Sequence, residues 1–136
     1  MAPIILISCA LIIMLTLWLA FWTSIQRGLS REVYHGAVLD PASGMAKAQR
    51  AHGNAAEYAG VLIGLFLITG FAYQGRDLGM TVTGLVVAIT LARFIQAIGL
   101  LTCKTLERIH PLKVIGSSLT YVCGLALAIM VIVRAL

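Results

Sequence analysis

This sequence is short of charge. Only 11% of its 136 residues are Asp, Glu, Lys or Arg, against about 25% in an ordinary soluble domain. A chain of this size has too much surface for so few charges to cover. Its apolar and aromatic residues, 60% of the total, must therefore face lipid. Disordered and fibrous classes need other compositions and fall away. Cysteine is scarce too. Cys9, Cys103 and Cys123 lie in or beside long apolar stretches, with no CxxC spacing and no paired framework. That excludes a disulfide scaffold, offers no metal-binding pattern, and leaves the three as small buried hydrophobes. The net charge of +5 does not point to nucleic acid, because the ten Lys and Arg punctuate apolar runs instead of clustering on one polar face.

What remains is four long apolar segments, each near the ~20 residues that cross a bilayer core as a helix. Met1 to Gln26 carries no charge, nor does Tyr58 to Gly75; Leu78 to Cys103 is interrupted only by Arg93; Val114 to Val133 is uninterrupted. No Lys or Arg precedes the first run, which is longer than the roughly 7–15 apolar residues of a secretory signal, so it reads as a retained helix. The runs lack the alternation of barrel strands, so their backbone groups must be satisfied within helices. The expectation is an all-α integral membrane protein: a four-transmembrane-helix bundle in one domain over residues 1–136, with helices at about 2–27, 45–75, 78–103 and 112–134.

Loop charge sets the expected orientation. Arg27, Arg31, Lys47 and Arg50 flank the first loop and Lys104, Arg108 and Lys113 the third, whereas the second has Arg76 and the tail Arg134. The long loops are expected in the cytoplasm and both termini on the other side. Within the first loop, Asp40-Pro41-Ala42-Ser43-Gly44 is a breaker cluster, and a helix starts after it.

On that helix Arg50, Asn54, Glu57 and Tyr58 fall at about 0°, 40°, −20° and 80°, one polar face entering apolar sequence. Gly53, Ala51, Ala55 and Ala56 make the remaining faces small enough for close helix approach. A charge carried into the membrane needs a partner or water. Arg93, with Gln96 one turn later, offers one, and Glu57 is expected to pair with it directly or through a ligand. Such a pair can also serve only to fix helix register. Arg27, Arg50, Arg93 and Arg108 outnumber the nearby acids Glu57 and Glu107. They meet lipid headgroups or form a site for an anion bearing carboxylates. Arg31, His35 and His110 read as interfacial residues, and Trp18 and Trp22 as interfacial or lipid-facing anchors.

The string Arg50-Ala51-His52-Gly53-Asn54-Ala55-Ala56-Glu57-Tyr58 resembles the R-A-[HQ]-x-N-x-x-E-Y signature of the membrane-associated proteins in eicosanoid and glutathione metabolism, the MAPEG superfamily. It is similar to the R-x-H-G-N-A-x-E-Y of bacterial members. Leu91-Ala92-Arg93 and Arg108-Ile109-His110-Pro111-Leu112 resemble further family segments. Gly60 stands where the family commonly has Pro, and Gln96 and Leu100 where its third helix often has His or Tyr.

The resemblance implies a homotrimer in a bacterial inner membrane that binds glutathione as co-substrate, without a metal, on the cytoplasmic side between subunits. Arg27, Arg50, His52, Asn54, Glu57, Tyr58, Arg93 and Gln96 would form the glutathione site, and Arg108 aligns with the arginine that stabilises the thiolate. The implied activity is a transferase or peroxidase that directs glutathione at a lipophilic electrophile dissolved in the membrane. The implied partners are further copies of the chain, membrane lipids and that electrophile. A MAPEG-like protein that binds lipid or a partner without turnover is the alternative. A small multidrug transporter does not fit, because Met1 to Gln26 lacks an acid.

Overall fold

The computed structural model describes residues 2–30 and 39–136. Arg31 and His35, expected at the headgroup level, lie outside them. Four helices follow in order: α1 (Pro3–Ser30), α2 (Gly44–Ala72), α3 (Gly79–Thr102) and α4 (Pro111–Ala135). Each is long and apolar enough to cross a membrane.

The helix boundaries have local chemical causes. Asp40 accepts hydrogen bonds from the amides of Ala42, through its side chain at 2.9 Å, and Ser43, through its carbonyl at 2.9 Å. That turn delivers Ser43 as the N-cap of α2, where its hydroxyl accepts the Ala46 amide at 3.1 Å, satisfying one of the first-turn donors. At the other end α2 stops three residues before the expected Gly75. Tyr73 already departs from helical geometry and Gly75 takes a φ of +77°, a left-handed conformation natural to glycine. Pro111 opens α4, where its missing amide donor costs nothing.

Two helix pairs pack most closely, α3 with α4 and α1 with α2. In the first, backbones meet. A Cβ on Gly116 would stand 2.7 Å from the Gln96 amide nitrogen and 2.8 Å from the Ala92 carbonyl, and one on Gly99 would stand 2.7 Å from the Lys113 nitrogen. Small residues permit this approach where lipid supplies no hydrophobic drive. In the second pair Ala48, Ala51 and Ala55 are buried, and the Thr23 hydroxyl of α1 reaches the Ala48 carbonyl at 3.1 Å.

The interior divides into two apolar clusters. One gathers Ile5, Ile12, Leu62, Phe66, Val82, Val86, Ile89 and Leu127; the other gathers Leu15, Leu19, Ala51, Ala55, Ala97 and Leu100. Along α3 the polar residues Arg93 and Gln96 fall between these clusters. Outside, large apolar residues such as Met14, Leu17, Phe21, Val61, Phe71, Leu91, Ile98, Val122, Leu125 and Ile129 are exposed on all four helices, a surface that suits lipid. Trp18 and Trp22 stack on α1 with ring centroids 6.2 Å apart, and Trp18 is exposed.

Candidate functional site

The site is built around Arg93. It lies nine residues before the end of α3, about 14 Å along the helix, and is only 3% exposed. Gln96 follows at i+3, on the same face, and accepts from Nη1 at 2.7 Å. From α2, Asn54 accepts from Nη2 twice, through Oδ1 at 2.5 Å and its backbone carbonyl at 3.2 Å. Tyr58, at i+4 from Asn54, lays its ring beneath the guanidinium, 4.4 Å from the centroid. This cation–π contact is worth about 2 kcal/mol when water is excluded.

Every one of those partners is neutral. Among the described residues the one ion pair is Arg50 Nη1 to Glu57 Oε1, at 3.7 Å, with both side chains more than half exposed. The direct Glu57–Arg93 pair expected from the sequence is therefore not formed. The cause is the rotation of α2: Asn54 and Tyr58, at about 40° and 80°, turn toward α3, whereas Arg50 and Glu57, at about 0° and −20°, are carried outward. A single polar face on the helix wheel becomes two sites. Arg93 keeps a buried positive charge that amide oxygens and a phenol ring solvate without cancelling.

A residue from α4 completes the inner group. Tyr58 Oη donates to Tyr121 Oη at 2.8 Å, with ring centroids 6.1 Å apart. Sequence reasoning missed Tyr121, since nothing in the fourth apolar run marks it. Its one signal is a phenol deep in a membrane span, where a hydroxyl needs a partner.

The structure thus joins Asn54, Tyr58, Arg93 and Gln96, and sets Arg50 and Glu57 beside each other on the outer face. His52 is half-buried, about 160° around α2 from Asn54, and stays outside the Arg93 network. Arg27 sits half-buried in the last turn of α1. Arg108 is exposed in the loop after α3, on the rim of a cavity of about 350 Å³ that it shares with Cys103, Lys104 and His110. Lys113 braces this loop by donating to the carbonyls of Arg108 at 2.7 Å and Leu106 at 3.1 Å. The Leu106 amide reaches the Pro41 carbonyl at 3.1 Å. Loops one and three therefore meet at one end of the bundle, with Arg27, Arg50 and Arg108 near it and Arg93 deeper. His110, expected as an interfacial residue, caps α4 with its Nδ1 buried and unpartnered among the described residues.

Four apolar helices around a buried, amide-held arginine define an integral membrane protein with a polar layer inside the bundle. The chain belongs to the MAPEG family, whose model matches residues 5–133, and so to a superfamily of membrane proteins in glutathione and eicosanoid metabolism. No curated protein and no solved structure shows a significant match to it.

Proposed function

We propose that the protein is a membrane-bound, glutathione-dependent transferase or peroxidase that directs the glutathione thiolate at a lipophilic electrophile. The observation that carries this reading is the buried charge of Arg93, which no carboxylate contacts among the described residues. A buried cation whose contacts among the described residues are all neutral favours an anion beside it. A carboxylate of glutathione supplies that anion. The planar guanidinium forks of Arg50 and Arg27 suit carboxylates bidentately, while Arg93, whose Nη1 and Nη2 are engaged by Gln96 and Asn54, adds its positive charge from inside the bundle. Glu57, held only weakly by Arg50, takes the amine, with His52, Tyr58 and Gln96 at the edges of the site.

The exposed position of Arg50 and Glu57 supports the homotrimer. Two charges on the outer face of a membrane helix call for cover, and a second copy of the chain supplies it, closing the site between subunits. The loop arginines support a cytoplasmic placement of that end, and the likeness of the Arg50–Tyr58 string to bacterial members supports a bacterial inner membrane.

Arg108 is the proposed thiolate partner. A free thiol with pKa near 8.5 is mostly protonated at neutral pH. Lowering that value by about two units takes ~2.7 kcal/mol of preferential stabilisation of the anion, within reach of one guanidinium in a partly dry site. Sulfur then attacks the electrophile, which arrives laterally from the bilayer. Equilibrium binding of glutathione to the detergent-purified protein, read together with ultraviolet thiolate absorbance, tests the reading. The expected result is saturable binding with a thiolate band, and absence of binding at millimolar glutathione would refute it.

A further inference from the structure

We propose that Tyr121 is a catalytic residue for electrophiles that gather negative charge on oxygen, such as conjugated carbonyl compounds, and that it selects them over electrophiles that expel a halide. The inference rests on the glutathione reading of the Arg93 site and goes beyond it, to the class of lipophilic substrate. Two hydroxyls joined by one hydrogen bond use one of their two protons, and the other remains to be donated. Among the described residues, Tyr58 and Tyr121 share the 2.8 Å bond and make no further hydrogen bond.

The free proton belongs on the outer side of the pair. Tyr58 is half-buried under Arg93, whereas Tyr121 is 51% exposed on α4, as are the neighbouring apolar residues Val122 and Leu125 of that helix. It is the eleventh residue of α4, about 15 Å along that helix. At such depth no water competes for a donor, and an unused one is costly. The natural acceptor is an oxygen on a molecule dissolved in the bilayer. Arg93, 4.4 Å from the Tyr58 centroid, places a positive charge behind the phenol pair and favours negative charge in front of it.

With a conjugated enone, the thiolate sulfur bonds to the β-carbon. The C=C pair shifts to the neighbouring carbon–carbon bond, and the carbonyl π pair moves onto oxygen. The enolate oxygen accepts the Tyr121 hydrogen bond as it gains charge, and its α-carbon takes up a proton, replacing the one the glutathione thiol released, when the product reaches the aqueous end of the site, giving the thioether. With a benzylic halide, sulfur bonds to carbon as chloride leaves, and no oxygen needs a donor.

The test compares kcat/KM for benzylideneacetone and for benzyl chloride, with glutathione, in wild type and Tyr121→Phe, alongside the thiolate band of bound glutathione. Tyr121→Phe should lower the benzylideneacetone to benzyl chloride ratio by about a hundredfold, the usual loss on removing one oxyanion donor, and keep the thiolate band. An unchanged ratio with the band intact in both proteins overturns this proposal alone. Loss of the band in the variant alone also overturns it, assigning Tyr121 to glutathione binding or folding. No thiolate band in wild type overturns the glutathione reading and this proposal with it.

Discussion

Two arginines on neighbouring helices show how differently one membrane protein can treat the same side chain. Arg50 meets a carboxylate, yet at 3.7 Å and with both partners more than half exposed; such a pair contributes about 0–1 kcal/mol. Arg93 meets no carboxylate among the described residues, yet two amide side chains, a backbone carbonyl and an aromatic ring fill its surroundings. Hydrogen bonds to a charged group are worth about 1.5–3 kcal/mol each when buried. The inner arginine is therefore the structural keystone, and the outer pair is held only loosely.

The largest break in that contrast should come from Arg93→Ala. It leaves the buried side-chain oxygens of Asn54 and Gln96 facing no donor, at about 1–3 kcal/mol for each, read as a lowered thermal midpoint in detergent, with glutathione binding lost. Asn54→Ala should come next, at about 2–3 kcal/mol, because Arg93 keeps Gln96, Tyr58 and the Asn54 carbonyl. Glu57→Gln probes the outer pair. Its stability should change by less than about 1 kcal/mol, while glutathione affinity, measured by titration calorimetry, should fall. A stability loss as large as that of Asn54→Ala would show that Glu57 reaches Arg93 after all. Smallest in stability should be Arg108→Ala, within about 0.5 kcal/mol for an exposed loop residue; its effect should appear in the ultraviolet spectrum, as loss of the thiolate band with glutathione still bound.

Much of the bundle was legible because lipid imposes a simple rule on sequence. The four apolar runs gave helices whose ends lie within three residues of the expected bounds, and the shifts at both ends of α2 and at the start of α4 trace to Ser43, Gly75 and Pro111. The motif from Arg50 to Tyr58 located the polar layer, and its residues do lie along one side of α2. Its division into an outer and an inner half was not legible. Angles on a single helix wheel carry no information about how that helix is turned against its neighbours, and a 60° difference between Glu57 and Asn54 decided which of them Arg93 meets. Tyr121 was invisible for a related reason, since its partner Tyr58 is 63 residues away and no local pattern connects them.

By itself, then, the sequence determined that this chain spans a membrane four times, where each helix begins, and which short segment brings charge into the bundle. Those properties follow from the transfer of side chains and backbone between water and lipid, a cost that each segment meets alone. Only the tertiary structure decided that amides hold Arg93, that Glu57 turns outward to Arg50, and that Tyr121 meets Tyr58. Contacts of that kind depend on helix rotation, which is set where Gly99 and Gly116 let α3 and α4 touch backbone to backbone and by the small residues between α1 and α2.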